Sequence, residues 1–406
     1  MAQSSTQEPR PVSPFAAWQA ERSSDPRGYY ANLRKEGRID FKTHRWAGGK
    51  KGPTAAVLHR DDIGQLLRDV DTYSSEVFAY GPDVHAIPQE IQAPLHTTYR
   101  RLLDPLFSPK KMAELQPKVE VAVNKFIDAF IDNGEVEVNE GLAVPLPCLT
   151  FLELLGLPSD ELQMLVYWKD ILIRPEIVGG SFSEGQRIQA EVVPQMFARF
   201  ALEIEDRKVN PRDDLITYFS TTEVDGRKLT EEEQCSVLFF LLAAGLDTVT
   251  ISLQAMFYYI ATHPETQQML HDDPSQVENV VEELLRWETP VMSVMRVAKE
   301  DTELGGCPIA KGTFMVACLA SGNVEEEVPE SLNLDLTRGD KAHLAFGAGP
   351  HRCLGSHLAR MELRTVIREW HKRIPFYEVK PGETIEWVPS ALRGIDYLPL
   401  QWKTKG

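Results

Sequence analysis

Ten residues, Phe346-Gly347-Ala348-Gly349-Pro350-His351-Arg352-Cys353-Leu354-Gly355, constrain this chain more than any other stretch. They hold three glycines and one cysteine, and a strong helical pattern follows at once. Glycine at this density lets the backbone take positive φ and approach a flat partner closely. A helix beginning just after Cys353 aims free N–H groups and a positive dipole end at the sulfur. Both features favour a thiolate. A glycine-rich loop with an inert buried cysteine is the simpler reading of any lone Cys, but the full ten-residue pattern argues against it. Zinc is excluded too, since a structural site needs four ligands. The five cysteines (Cys148, Cys235, Cys307, Cys318, Cys353) form no Cys-x-x-Cys pair and are odd in number. That is the pattern of a reducing compartment, not of a disulfide framework.

The chain around this loop reads as mainly α with small β pieces (α+β). Residues 95–106, 109–131, 145–155, 159–173, 182–208, 230–261 and 274–288 carry helical spacing or caps, with Ser159, Asp213 and Thr230 as N-caps. Asp61 and Asp62 cap a helix through Val70, and residues 354–373 form the helix after the cysteine. Strand-like text lies at 39–59, at 294–318 and in the tail to Trp402. Residues 73–93 read as a long functional loop. Residues 1–14 read as a flexible leader and 15–406 as one integrated domain, because no composition break marks a linker.

Composition narrows the partners. A net charge of −17 and a pI near 5.1 exclude nucleic acid, which needs a basic footprint. The longest apolar run, 237–246, covers about half of a membrane span, and the first residues have no signal-peptide core. A soluble, cytoplasmic protein with no membrane partner is expected.

A lone thiolate suits an axial ligand to haem iron, and the ten-residue stretch resembles the haem-binding loop of the cytochrome P450 family. Phe346, Gly347, Gly349, His351, Cys353 and Gly355 match its pattern. The resemblance implies that family's triangular helical body with a small β-rich region. It also implies haem b as cofactor, Cys353 as the iron's axial ligand, and insertion of one oxygen atom from O2.

Other stretches extend the resemblance. Ala244-Gly245-Leu246-Asp247-Thr248 places an acid and a hydroxyl inside an apolar helix, where they are costly without a role. Thr248 could merely bond back to the Ala244 carbonyl, or a bend or π-type bulge could open space for a small ligand. The family's oxygen-activation motif matches Gly245, Asp247 and Thr248, with Asp247 relaying protons and the Thr248 hydroxyl hydrogen-bonding at the reacting site. Glu283 and Arg286 share a helix face and resemble the family's Glu-x-x-Arg element, with Arg338 as third member of a structural group. His96 and Arg100 also share a face; with Arg296 and His351 they match positions that bind haem propionates.

The pocket expected from the resemblance comprises Val84, His85, Ala86, Ile87, Phe240, Ala243, Ala244, Val291, Met292 and Ile395. This set is mostly apolar and suits a terpenoid or norisoprenoid ketone or alcohol. The pattern is most similar to that of the camphor-hydroxylating bacterial group. Val84, however, stands where that group carries a tyrosine bonding the camphor ketone, and the segment after Ala320 lacks the usual Asn-Arg-Asp. Basic residues Arg101, Lys110, Arg352, Arg360 and Arg364 cluster near the presumed haem on an acidic chain, suggesting an acidic iron–sulfur ferredoxin with its NAD(P)H-dependent reductase. No nucleotide or flavin fingerprint appears. A haem sensor without turnover and a peroxide-driven peroxygenase are the alternatives; neither needs the protons that Asp247 and Thr248 would relay.

Overall fold

The apolar run 237–246 lies inside the longest described helix, Glu231–Thr262. The computed structural model describes residues 22–41, 53–77, 86–326, 328, 331–339, 341–388 and 392–404. The leader 1–14 and the pocket candidates Val84 and His85 fall outside these. In chain order the helices that position the site are α1 (Pro26–Glu36), α2 (Leu95–Leu103), α3 (Pro109–Phe130), α4 (Pro145–Leu155), α5 (Leu162–Ile173), α6 (Phe182–Val209), α7 (Glu231–Thr262), α8 (Val277–Glu288) and α9 (Ser356–Arg373).

Helix α7 starts with a capping box. The Thr230 hydroxyl accepts from the Glu233 N–H at 3.2 Å, and the Glu233 carboxylate accepts from the Thr230 N–H at 2.8 Å. By length and composition α7 could cross a membrane, but 78% of its apolar window is buried inside the protein. It is a core helix. Up to Leu246 it joins an apolar cluster with α2, α4, α5 and α6, including Phe151, Trp168 and Phe200. From Val249 onward it joins a second cluster with α3, α8 and α9, where Phe257 meets Trp370 edge-on at 4.7 Å. Each large side chain buried this way contributes about 1.5–3 kcal/mol. The seam between the clusters falls at Ala243 to Thr248.

Five short strands form one sheet: β1 (Ile39–Asp40), β2 (Thr54–Val57), β3 (Tyr73–Ser74), β4 (Val294–Ala298) and β5 (Phe314–Ala317), in the order β1-β2-β5-β4-β3. The β2–β5 pair is parallel and the others antiparallel. In β4, Arg296 stands opposite Met315 and is buried. A second sheet pairs the tail strand Pro399–Gln401 with Glu378–Val379 and with Glu135–Glu137, which lies beyond α3.

Several boundaries differ from expectation. Asp214, not Asp213, caps the helix Leu215–Thr221, its carboxylate accepting from the Thr217 N–H at 2.7 Å. Ser159 heads only a 3₁₀ turn and makes no capping bond. Asp61 and Asp62 lie in the first turn of Arg60–Arg68; Asp62 pairs with Arg38 at 2.8 Å instead of capping. The helix expected over 95–106 ends at Leu103 and tightens into a 3₁₀ turn containing Pro105, where a proline removes the donor.

Candidate active site

The cysteine loop is built by turns that need glycine at two positions. Gly347 and Gly349 adopt φ of +67° and +70°, and a Cβ on Gly349 would stand 2.3 Å from the Leu67 carbonyl oxygen. The Cys353 N–H donates to the Phe346 carbonyl at 2.9 Å, closing the loop. Gly355 is the residue preceding α9, and the Phe346 ring lies 4.3 Å beneath the Arg360 guanidinium. Cys353 is open to a cavity of about 580 Å³ and surrounded elsewhere by protein. Its thiol pKa corrects the expectation of a lowered value. Burial pushes it up, outweighing the downward pull of the Gly355 N–H and of Arg352, Arg100 and Arg360. The helix end and the arginines do not offset that burial; a metal ion bound at the sulfur would, since a coordinating thiol is deprotonated outright.

The seam of α7 lines the same cavity. Ala243, Ala244, Gly245 and Thr248 face it, and nothing stands within 4 Å of a Cβ built on Gly245. The helix is α throughout this stretch, so no π-type bulge makes the space; small side chains do. The Thr248 hydroxyl does bond back to the Ala244 carbonyl at 3.2 Å. Asp247 turns away from the cavity and is buried. Its Oδ1 accepts from Lys169 at 3.0 Å and from Arg174 at 3.3 Å, while Oδ2 is buried with no hydrogen-bond partner. Lys169 also meets Asp170 at 2.6 Å and Arg174 meets Asp396 at 2.5 Å; the Asp396 side chain is half exposed. Burial alone would lower the Lys169 ammonium, but Asp247 and Asp170 hold it above its ordinary value. A chain of charged groups thus runs from the surface to the turn of helix that carries Thr248.

His96, Arg100, Arg296 and His351 all line the cavity. The imidazoles of His96 and His351 lie 3.8 Å apart between ring centres. His96 Nε2, His351 Nδ1 and Arg296 Nε are buried without hydrogen-bond partners. Burial draws His96 down to about 4 and His351 to about 3, with neighbouring cations adding to it, and draws Arg296 to about 10. Arg296 Nε is a buried donor left unmade, which is costly, and each of the two imidazole nitrogens can donate in one tautomer; such a set around one cavity suits acidic acceptors. Haem propionates have that chemistry. The open Cβ space on Gly245, Gly347 and Gly355, all lining the cavity, leaves room for a flat ring. The residues present fit the haem.

The expected pocket is partly redrawn. Ala86, Phe240, Ala243, Ala244 and Val291 line the cavity. Ile87 is instead packed in the apolar cluster around α2 and α5, because the chain turns at Pro88 and offers Ala86 and Gln89 to the cavity. Met292 is buried beside Tyr30 and Val316, since alternation along extended chain sends it to the opposite face from Val291. Ile395 is buried in the cluster of α8 and α9, paired across a strand with Trp387; Leu392 lines the cavity in its place. The sequence also gave no sign of Glu362. It lines the cavity from α9, fully buried, with Oε1 unpartnered and burial pushing its carboxyl up to about 8.

Glu283, Arg286 and Arg338 come together. Arg286 grips the Glu283 carboxylate with bonds of 2.8 and 2.6 Å, and Arg338 lies 3.9 Å from it. The remaining Arg286 donors reach the carbonyls of Asn323, Ser331 and Asn333, which ties α8 to the segment before the cysteine loop. The basic cluster is smaller than it looked. Arg360 and Arg364 are committed to Glu282 at 2.6 and 3.1 Å, because α9 packs against α8. His343 and Arg360 in turn hold the Glu282 carboxyl well below the carboxylate range despite its burial. Arg101, Lys110 and Arg352 remain exposed.

Known proteins match most of this chain in sequence and in fold. A sequence model of the cytochrome P450 family matches residues 157–370. The probable cytochrome P450 127A1 of Sinorhizobium fredii is 33% identical over 356 residues, 86% of this chain and 83% of that protein. The monooxygenase PikC of Streptomyces venezuelae is 30% identical across 97% of this chain and 95% of its own. Linalool 8-monooxygenase of Pseudomonas putida is 29% identical across 87% and 90%. Among solved structures, CYP108D1 of Novosphingobium aromaticivorans superposes with a TM-score of 0.84 at 26% identity, covering 97% of this chain and 99% of that one.

Proposed function

The chain belongs to the cytochrome P450 family, and on that premise we propose that it hydroxylates a compact, mostly apolar substrate of terpenoid or norisoprenoid type. As a member of that family it is a monooxygenase using haem b. When bound, the haem supplies the activation of O2 that lets one oxygen atom be inserted into a substrate. In our reading the Cys353 thiolate would hold the haem through its iron, and His96, Arg100, Arg296 and His351 would hold its propionates. Gly245, Phe346 and Gly355 frame the ring, and Glu283, Arg286 and Arg338 brace the loop from behind.

Asp247 and Thr248 are our catalytic residues. Asp247 collects protons from the charged chain that ends at Asp170 and Asp396 and relays them toward Thr248, the next residue of the helix. Thr248 then holds a proton at the reacting site. The observation that carries this reading is that Cys353, Thr248 and four nitrogen-bearing side chains all face one cavity. Support for the substrate class is the apolar lining of that cavity and a relative named for linalool. The likeness to the camphor-hydroxylating group rests on Gly245 to Val249, His351 and the tail, and the relatives found do not single that group out. We further assign it to the cytoplasm, with electrons from an iron–sulfur ferredoxin and its NAD(P)H-dependent reductase docking near Arg101, Lys110 and Arg352.

Changing Thr248→Ala tests the reading. The variant should consume NAD(P)H at a rate near that of the wild type while most of the flux appears as peroxide. Unchanged coupling would count against this assignment; product formed from added peroxide without NAD(P)H consumption would favour a peroxygenase, and no turnover by either route would favour a sensor.

A further inference from the structure

One wall of the cavity is made by two residues far apart in sequence. Val291, just beyond α8, and Leu392, in the tail, both line the cavity and are joined by an isolated antiparallel bridge. The Arg393 N–H donates to the Pro290 carbonyl at 3.0 Å, so the two segments are locked on either side of that bridge.

The Arg393 side chain is 3% exposed and does not line the cavity. Its Nη1 donates to the Glu288 carboxylate and its Nε to the Ser23 carbonyl at 2.9 Å, and its guanidinium carbon lies 3.4 Å from the centre of the Trp387 ring. Beside it, Arg27 at the start of α1 lies 4.3 Å over Trp287. Three remote pieces of chain therefore meet on one cation: the residues before α1, the end of α8 and the tail.

Between Glu288 and Val291 the backbone is strained. Thr289 has φ of +40°, a left-handed conformation that β-branched residues rarely adopt. Its hydroxyl donates to the Arg286 carbonyl at 2.7 Å and accepts from Asn323 at 2.9 Å. Strain of this kind persists only where the surroundings over-determine it. A buried ion pair is also a weak source of stability compared with an apolar replacement. Both features point to placement as the reason for the cluster.

We propose that Arg393, with Glu288 and the Ser23 carbonyl, is a positioning device that sets where Val291 and Leu392 stand in the cavity, and so selects substrates by shape. The residues ahead of α1 thereby take part in specificity although they do not line the cavity. The inference rests on the reading that this cavity takes substrate beside a cysteine-held haem.

The test uses the haem-loaded full chain and compares binding of imidazole, too small to reach the wall, with 4-phenylimidazole, by difference spectroscopy. Wild type must first show the carbon monoxide spectrum of a thiolate-held haem; if it does not, the underlying reading fails, not this one. Arg393→Met should leave imidazole affinity within about twofold of wild type and change the ratio of the two affinities at least about fivefold. Arg393→Lys, which keeps the charge but loses the planar fork and the stacking, should shift the ratio in the same direction by less. Should Arg393→Met fail to load haem, the Lys variant decides. A ratio equal to that of wild type in the variant that decides would overturn the proposal, because a merely structural role changes stability and not the ratio.

Discussion

At the scale of single residues, burial governs the site more than formal charge does. Cys353 has three arginines and a helix end near it, and its thiol still sits above the ordinary value. Burial also draws the His96 and His351 imidazoles below their ordinary value, with Arg100 and Arg296 adding to it. Glu362 shows the same effect with a measurable consequence. Its carboxyl is raised to about 8, above the value of about 4.3 expected in the unfolded chain. A group raised on folding contributes stability that is complete below its unfolded value and is lost as pH rises through its folded value. Glu362→Gln removes that titration. Its melting temperature relative to wild type should rise steadily between about pH 5 and about pH 9, as followed by circular dichroism of the loaded enzyme. A constant difference across that range would show that Glu362 does not titrate there.

At the scale of elements, the loop and the helices that flank it divide into parts the sequence exposes and parts it hides. The two positive-φ glycines of the loop differ in what surrounds them. Gly349 packs against the Leu67 carbonyl, while a Cβ on Gly347 would meet no protein atom within 4 Å. Gly349→Ala should therefore destabilise the protein by more than about 1 kcal/mol and lower haem retention. Gly347→Ala should cost less, and equal losses in thermal melts would refute the distinction. The loop, the Thr230 cap of α7 and the Glu283–Arg286 pair were legible because each depends on neighbours within a few residues. The same holds for the shared face of His96 and Arg100. What was not legible depends on chain that returns from far away. Ile395 and Leu392 are three residues apart in a tail with no clean period, and only pairing with Trp387 and Val291 decides which one faces the cavity. Likewise, no local pattern shows that Glu282 on α8 captures Arg360 and Arg364 on α9.

At the scale of the whole molecule, α7 joins two apolar clusters, and the cavity opens at their seam where its side chains are small. The charge distribution belongs to this scale as well. The chain carries a net charge of −17, and exposed basic residues on such a chain would attract the acidic partner we propose. With Arg360 and Arg364 already paired, the docking we propose is left to Arg101, Lys110 and Arg352. Reversing Arg101→Glu and Lys110→Glu together should slow reduction by a ferredoxin on the order of tenfold at low salt and flatten its dependence on ionic strength. An unchanged rate in stopped-flow measurements would remove the patch from the account. Arg360→Glu should act differently, by breaking its bond to Glu282 and lowering stability. The central claim is that Cys353 holds the haem of a monooxygenase as thiolate, and the carbon monoxide spectrum of the reduced protein tests it most directly. Wild type should show the red-shifted Soret band of a thiolate-ligated haem and Cys353→Ser should lose it; a band that persists in Cys353→Ser, or is absent from wild type, would contradict the account.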